Sequence, residues 1–280
     1  MRHQETTLIG QRGVRLFCQR WDPEAAPIGA VVLAHGYAEH SDRYHHVASA
    51  LVEAGWVVLA LDHRGHGRSQ GRRAVTDRLA WLLGDLDLVV DRATGIPPGA
   101  RPVLLGHSMG GGLAAAYAVS YPGKLSALVL SGPALGMAAT MSAPQRWAVK
   151  ALSALAPGVG TVALAADAVS RDPAVVAAYQ ADPMVYRGKV PARTAREMLR
   201  ASDMVAERAS ELDLPLLIVA GSQDSLVPLA GSRQLEGDAG SRDKTLTVYD
   251  GLYHEVFNEP ERDKVLADVV AWLGRHAPRS

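Results

Sequence analysis

The 280-residue sequence predicts an α/β fold: a mostly parallel central sheet flanked by helices, with an inserted helical cap. Short apolar runs alternate with longer helical patterns, which is typical of βαβ units. Most of the apolar runs end at Gly, Asp or His, and one long Ala- and Leu-rich segment interrupts the alternation. The composition, 48% hydrophobic and 21% charged, is that of a globular protein. We therefore predict a single domain over 1–280.

The predicted elements follow one another in regular order. Residues Leu16–Trp21 come after a turn at Gly13 and are predicted to be the second arm of an opening hairpin. Short apolar runs predict further strands at Ala30–Ala34, Trp56–Leu61, Val103–Leu105, Leu128–Leu130, Leu216–Ala220 and Thr245–Tyr249. Amphipathic patterns predict helices at Arg43–Ala54, Thr76–Ala93, Gly110–Ser120, Ala230–Glu236 and Pro260–Trp272.

The segment from Pro133 to Ala206 is longer than the connection between two consecutive strands requires. It is rich in Ala, Leu, Val and Met, with only three charged residues before Arg171. An ordinary pair of core helices would have a similar composition. We interpret 133–206 as an inserted cap because it comes after the strand that follows the candidate nucleophile.

Charge and cysteine content exclude several function classes. Lys plus Arg and Asp plus Glu both number 29, and only two Phe occur, so the sequence does not predict nucleic-acid binding. Cys18 is the only cysteine, which excludes an intrachain disulfide and a cysteine-based metal site. We predict no metal and no cofactor.

The N-terminal residues 1–13 contain no apolar core of a secretory signal. The longest uncharged stretch of the apolar middle, Ala151–Ala166, is too short for a bilayer span and is interrupted by Pro and Gly. These features indicate a cytoplasmic protein. The apolar cap is compatible with peripheral contact with a membrane surface and with a homodimer interface, and the sequence leaves both open.

Residues 106–110, with the sequence GHSMG, form the candidate catalytic turn. They follow the apolar strand Val103–Leu105 and precede a Gly- and Ala-rich helix, which is the context of a nucleophile elbow in the α/β-hydrolase fold. The turn is tight, so small residues are needed at Gly106 and Gly110. Ser108 is therefore the predicted nucleophile, and the helix that follows it directs its positive end towards a developing oxyanion.

A serine nucleophile needs a base and an acid, which in this fold follow it in the order acid, then histidine. Only His254 and His276 follow Ser108, and His276 lies in the C-terminal tail. His254 comes just after a predicted strand and is the predicted base. Asp224 follows the preceding strand and is the predicted acid, with Asp213 and Asp250 as weaker candidates because of their positions.

An oxyanion hole requires two main-chain N–H groups. Met109, directly after the nucleophile, is predicted to supply one. The loop after Ala30–Ala34 is predicted to supply the other through Tyr37, since Gly36 permits a sharp path. His35 in the same loop is a conceivable second base, but we favour a role in shaping the loop. The histidine- and arginine-rich segment 62–69 lacks metal-ligand and phosphate-loop spacing and is interpreted as a structural loop tied by Asp–Arg pairs.

These motifs together resemble those of monoacylglycerol lipases, bacterial and mycobacterial members in particular. The likeness runs from about Gly13 to Trp272 and is carried by HGYAEH at 35–40, Arg43-Tyr44, DHRGHGRS at 62–69, GHSMGG at 106–111, SRDP at 170–173, YQADP at 179–183 and YHE at 253–255. The resemblance implies hydrolysis of a single acyl chain from glycerol, without a cofactor, beneath an apolar cap. It also implies that Glu39, Arg43 and Tyr179 line a polar pocket for glycerol. Tyr37 departs from the family pattern, because a small or aliphatic residue is usual at that position.

Two other readings remain compatible with the sequence. The first is a lysophospholipase or a broad carboxylesterase. The lack of a cationic phosphate site argues against the lysophospholipase, and the apolar cap argues against the carboxylesterase. The second is a non-enzymatic receptor on a retained hydrolase fold, which the complete set of candidate catalytic residues disfavours. Epoxide hydrolases and haloalkane dehalogenases use a carboxylate nucleophile, so Ser108 disfavours them.

Overall fold

The structure is a computed structural model that describes residues 1–137 and 141–277. Residues 138–140, which belong to the predicted cap, lie outside the described residues. Eight strands form one sheet in the order β1-β2-β4-β3-β5-β6-β7-β8. Their bounds are β1 Arg2–Ile9, β2 Arg15–Asp22, β3 Gly29–Ala34, β4 Trp56–Leu61, β5 Val103–His107, β6 Ala127–Ser131, β7 Leu216–Gly221 and β8 Lys244–Tyr249.

The sheet is mostly parallel, as predicted. Strands β3 to β8 pair in parallel, whereas β1 pairs with β2, and β2 with β4, in antiparallel fashion. Strands β3 to β7 are buried on both faces, which explains their uninterrupted apolar sequences. The predicted opening hairpin is present. Its first arm, β1, is exposed at all but one residue, so no apolar run marks it in the sequence.

The described residues form eight α-helices, six of which pack on the sheet. They are α1 His45–Glu53, α2 Leu79–Ala93, α3 Met109–Ser120, α4 Ala143–Leu155, α5 Pro173–Ala181, α6 Ala192–Arg208, α7 Leu229–Asp238 and α8 Arg262–Arg275. Helices α1 and α8 pack on one face, and α2, α3, α6 and α7 pack on the other. The sheet therefore separates two apolar layers, and the loops at the carboxyl ends of its parallel strands meet at one edge.

Three helices begin later than predicted, and one of them is α8, which was predicted from Pro260 and begins at Arg262. The predicted helix Arg43–Ala54 starts with a 3₁₀ turn at Ser41–Tyr44, and α1 proper begins at His45. The predicted helix Thr76–Ala93 begins at Leu79, because Thr76 N–H donates to Thr194 Oγ1 at 2.9 Å and is held in extended chain.

Helices α4, α5 and α6 lie between β6 and β7, in the segment predicted as an inserted cap. Helix α6 continues to Arg208, two residues past the predicted end of that segment. Helix α4 is the most exposed of the three, with Ser153 as its one buried residue. Among the residues described, no helix is long and apolar enough to cross a lipid bilayer.

Candidate active site

Ser108 occupies the turn between β5 and α3. Its backbone has φ 54° and ψ −118°, in the left-handed region of φ that L-residues rarely adopt. Hydrogen bonds hold this strained turn: Ser108 N–H donates to Ser131 O at 2.9 Å, and Ser108 O accepts from Gly112 and Ala134. Such strain persists only where the surroundings enforce it, and it raises the side chain above the sheet edge.

The two glycines of the motif are needed because backbone approaches both of them. A Cβ at Gly106 would collide with the carbonyl of Gly110, and a Cβ at Gly110 would collide with the carbonyls of Ala34 and His35. The predicted requirement for small residues thus has a geometric cause. The elbow is pressed against its own helix and against the end of β3.

Asp224 and His254 come from loops after β7 and β8 and meet at the same edge. His254 Nδ1 lies 2.7 Å from Asp224 Oδ2, and both side chains are almost fully buried. With Nδ1 protonated, this bond leaves Nε2 of His254 free to accept a proton. Gly132, at φ 46°, lets the chain pass so close that a Cβ there would lie 3.2 Å from the His254 ring.

Asp224 is held in the ionised form. Burial opposes its ionisation, but the hydrogen bond to His254 and the two amides that donate to Oδ1 outweigh burial and lower its pKa. Those amides, of Leu226 and Val227, both lie at 2.9 Å. The rejected acid candidate Asp250 is exposed, and its carboxylate accepts from the Ser222 hydroxyl instead.

The two predicted oxyanion donors flank Ser108. In the part of the chain that the structure describes, neither the Tyr37 N–H nor the Met109 N–H has a hydrogen-bond acceptor. The preceding amide, Gly36 N–H, donates to Glu39 Oε1 at 2.6 Å. A Cβ at Gly36 would lie 3.3 Å from the Cβ of Ser108, so only glycine lets this loop pass so near the nucleophile.

His35 shapes this loop. Its Nδ1 lies 2.7 Å from Gly36 O, and its Nε2 accepts from His63 N–H at 2.9 Å. Burial is the main cause that lowers its pKa, so the ring stays neutral. The structure therefore places His35 as a link between the β3 loop and segment 62–69.

Segment 62–69 is held by ion pairs and by bonds to backbone. Arg64 pairs with Asp85 at 2.7 Å, and Arg68 pairs with Asp42 at 2.6 Å. Among the residues described, Asp62 itself pairs with no arginine side chain but accepts from the Ser41 hydroxyl and the Arg68 N–H. Within the described ranges, no group of three His, Cys, Asp or Glu side chains is placed to hold a metal ion.

A buried ionic cluster lies behind the oxyanion loop. Arg43 donates to Glu39 at 2.5 Å and, through both terminal nitrogens, to the two oxygens of Glu255 at 2.7 Å. The Tyr44 hydroxyl donates to Glu39 at 2.6 Å, and the Arg43 guanidinium lies 4.8 Å from the centre of the Tyr179 ring. The cluster connects the residue after the base with the loop beside the nucleophile.

The pKa values of the two carboxyls of the cluster are shifted in opposite directions. Burial raises the pKa of Glu39, and Arg43 does not fully offset it. For Glu255, burial is outweighed by the charge of Arg43 and its bidentate hydrogen bonds, which lower the pKa to about 2. The sequence analysis assigned no role to Glu255. Its position directly after the predicted base His254 was the signal that it lies near the site.

Comparisons with known proteins identify the family of this chain. A family model described as serine aminopeptidase, S33, matches residues 25–261. The chain is 50% identical to the monoacylglycerol lipase of Mycolicibacterium smegmatis over 272 residues, which is 97% of each chain. It is 33% identical to the human monoglyceride lipase, covering 96% of this chain and 89% of the human one. The crystal structure of Paleococcus ferrophilus monoacylglycerol lipase superposes with a TM-score of 0.84 at 30% identity, covering 93% of this chain and 99% of that one.

The chain belongs to the monoacylglycerol lipase family of α/β hydrolases. The resemblance to this family is what singled out Glu39, Arg43 and Tyr179 in the sequence. The structure places Glu39 and Tyr179 at the wall of one cavity, with Arg43 behind them in the ion pairs described above.

That cavity has a volume of about 60 Å³ and contains the candidate active site. Ser108 and His254 line it together with both polar and apolar side chains. The polar members include Glu39, Tyr179 and Glu255, and the apolar members are Ala134, Met137, Leu164, Val169, Met198, Leu226 and Val227. Five of these seven apolar residues come from the segment between β6 and β7.

Proposed function

We propose that this chain hydrolyses the ester bond of monoacylglycerols and releases a fatty acid and glycerol. The observation that carries the proposal is the 2.7 Å bond between His254 Nδ1 and Asp224 Oδ2, at the wall of the cavity that also contains Ser108. A histidine held in this tautomer accepts a proton at Nε2, which is what a serine nucleophile needs. Family membership supports the substrate class.

The reaction proceeds through an acyl-enzyme. Ser108 Oγ attacks the ester carbonyl carbon while His254 Nε2 takes the hydroxyl proton, and the carbonyl oxygen becomes an oxyanion. The N–H groups of Tyr37 and Met109 donate to that oxyanion. His254 then gives its proton to the glycerol oxygen as the C–O bond breaks. A water molecule attacks the acyl-enzyme by the same relay, which restores Ser108 and releases the fatty acid.

The wall of the cavity supports one orientation of the substrate. The glycerol hydroxyls face Glu39 and Tyr179, where hydrogen-bonding groups are available. The acyl chain lies along the apolar side, towards Met198 and Leu226. We propose that segment 133–206 acts as the cap over this chain, and that residues 1–280 form one domain with it.

The test is to compare Ser108→Ala with the wild type on monoacylglycerols of C8 to C18, matched diacylglycerols and lysophosphatidylcholines. We expect Ser108→Ala to lose at least about 10³-fold in kcat, since only binding and oxyanion stabilisation remain. Ser210→Ala, at an exposed serine, is the matched control and should keep the wild-type rate. Equal or faster wild-type hydrolysis of lysophospholipids would move the substrate to the wider esterase class.

We further propose a cytoplasmic protein whose cap contacts a membrane surface. Six of the nine large hydrophobic side chains exposed in the described ranges lie between Trp147 and Leu164, so exposed apolar surface is concentrated on the cap. No acidic residue occurs over 141–166. A groove of about 340 Å³ beside Trp147 is lined by four basic side chains, Arg146, Lys150, Arg196 and Arg200, with Asp203 as the one acid. Apolar and basic groups side by side favour an anionic lipid surface.

Co-sedimentation with vesicles tests this contact. We expect stronger binding to phosphatidylglycerol-containing vesicles than to pure phosphatidylcholine, and a loss of binding in the variant Trp147→Ser/Leu155→Ser. The alternative is a homodimer interface. It would be supported if the wild type bound neither kind of vesicle and eluted as a dimer, while the variant Trp147→Ser/Leu155→Ser eluted as a monomer.

A further inference from the structure

A second cavity, of about 350 Å³, lies directly beside the catalytic cavity. The oxyanion loop and the cap line it together, through Tyr37, Ala38, Leu164, Ala166, Tyr179, Gln180, Tyr186, Arg187 and Gly188. Three of these residues, Tyr37, Leu164 and Tyr179, also line the catalytic cavity. They therefore form the partition between a small space that contains the nucleophile and a larger space on its outer side.

Tyr37 is the central part of this partition. Only 6% of the residue is exposed. Its ring packs edge-on against the rings of His66 and Tyr186, at centroid distances of 5.6 and 6.3 Å. Tyr179 is also fixed, by its stacking with Arg43. Leu164 is 42% exposed and belongs to the cap. Two held aromatic rings and one peripheral leucine thus separate the cavities.

The partition lies on the side of the site where the glycerol part of the substrate is proposed to bind. On the catalytic side it adjoins Glu39, whose carboxyl group belongs to the polar part of the wall. On the outer side, the second cavity presents Gln180 and Arg187, which are also polar. The acyl side, by contrast, is the apolar wall that contains Met198 and Leu226. An alcohol too large for the catalytic cavity would therefore have to extend across the position of Tyr37.

We infer that the Tyr37 side chain is a specificity-determining residue that limits the size of the alcohol part of the ester. This inference rests on the proposed function. The glycerol part of an ester fits on the catalytic side of the Tyr37 ring. A larger polyol part would collide with the ring before the ester carbonyl carbon reaches Ser108. Removal of the ring joins the two cavities into one polar space. The main-chain N–H of Tyr37 is unaffected by a change of side chain, so the oxyanion donor stays.

The experiment measures kcat/KM for the laurate esters of methanol, glycerol and sorbitol, which share one acyl chain. The readout is the ratio of the sorbitol ester to the glycerol ester. We expect Tyr37→Ala to raise this ratio by about tenfold or more, the scale of selectivity that one pocket contact provides. Tyr37→Phe keeps the ring and should keep the wild-type ratio. Gln180→Ala, which widens the outer cavity without opening the partition, should also keep it.

Leu164→Ala opens the same partition from the exposed cap side and should raise the ratio in the same direction. Thermal melting and hydrolysis of methyl laurate show whether Tyr37→Ala is folded. If it is not folded, the ratio measured for Leu164→Ala decides the inference. A folded Tyr37→Ala with a ratio within twofold of wild type overturns the inference, as does an equal rise in Tyr37→Phe. If Tyr37→Ala cannot be assessed, an unchanged ratio in Leu164→Ala overturns it. A wild type that does not hydrolyse the glycerol ester contradicts the proposed function instead, and this is seen without any variant.

Discussion

At the scale of single residues, Asp224 divides its two carboxylate oxygens between different tasks. Oδ2 bonds to His254, and Oδ1 accepts from the amides of Leu226 and Val227. The second pair of bonds fixes the plane of the carboxylate, so the imidazole that it holds is also fixed. An amide at this position could keep the shape but would favour the wrong tautomer of His254.

Asp224→Asn should therefore lower kcat by about 10³- to 10⁴-fold with little change in KM. The measurement is steady-state hydrolysis of a monoacylglycerol, with thermal melting to establish that the fold is intact. Asp250→Asn is the matched control, because Asp250 follows the neighbouring strand but is exposed. A greater loss in Asp250→Asn than in Asp224→Asn would reassign the acid.

Chain order predicts Ser108, Asp224 and His254 as one set, because each follows a recognisable strand and the fold determines their sequence order, and in the structure Asp224 and His254 share a hydrogen bond. The partnership of Arg43 with Glu255 was beyond such reasoning. The two residues are 212 positions apart, and no periodic pattern connects them. Only the folded chain shows that Arg43 is held between two carboxyl groups.

At the scale of elements, the elbow between β5 and α3 depends on how closely α3 approaches β3. Gly110 has the carbonyls of Ala34 and His35 within the space that a Cβ would occupy. A methyl group there has to displace the start of the oxyanion loop, and backbone cannot yield as a flexible side chain can. The effect is therefore expected on both stability and activity.

Gly110→Ala should destabilise the protein by about 1–3 kcal/mol or more, and should reduce kcat as well. Gly274→Ala in α8 is the control, since nothing lies within 4 Å of its Cβ position. That change should raise the free energy of unfolding by about 0.5–1 kcal/mol and leave kcat unchanged. Urea unfolding and initial rates measure both. Equal effects of the two substitutions would show that helix propensity, rather than close approach, decides the role of Gly110.

The start of α2 shows why element boundaries were less predictable than the elements themselves. The apolar pattern of residues 76–93 does not distinguish helix from extended chain at its first turn. Contacts with α6 decide it: Thr194 accepts from Thr76 N–H, and Glu197 accepts from Leu79 N–H at 2.9 Å. These partners are 118 residues away, so a local pattern carries no information about them.

At the scale of the whole molecule, several buried histidines make the fold sensitive to acid. Burial, as the largest cause, lowers the pKa of His63 and of His107 to about 3 and that of His66 to about 4, and it holds the pKa of His35 well below its usual value. In the unfolded chain each titrates near 6.5. The unfolded state therefore binds more protons than the native state as the pH falls below about 6.5, and stability declines.

The free energy of unfolding should accordingly fall between pH 7 and pH 5, before most carboxylates titrate. Each such histidine contributes a slope of about 1.4 kcal/mol per pH unit near pH 5. The raised pKa of Glu39 acts in the opposite sense, but it cancels when two variants that share Glu39 are compared. Urea titrations of wild type and His63→Asn at several pH values measure the difference in slope. Ser210→Ala, at an exposed serine, removes no titrating group and should keep the wild-type slope, and parallel curves for all three proteins would contradict the prediction.

The proposed oxyanion loop is bonded to the proposed cap as well as to the core. Tyr186 N–H donates to Ala38 O at 2.8 Å, His40 Nε2 lies 2.8 Å from Asp182, and Ala38 is held at φ 72°. We expect these contacts to couple the position of segment 182–186 to the stability of a tetrahedral adduct on Ser108, and any such coupling acts with the same free energy in both directions. A tetrahedral inhibitor is therefore also a ligand for the position of the cap. By the same reciprocity, a molecule that holds this segment away from the loop inhibits the enzyme without ever touching the serine.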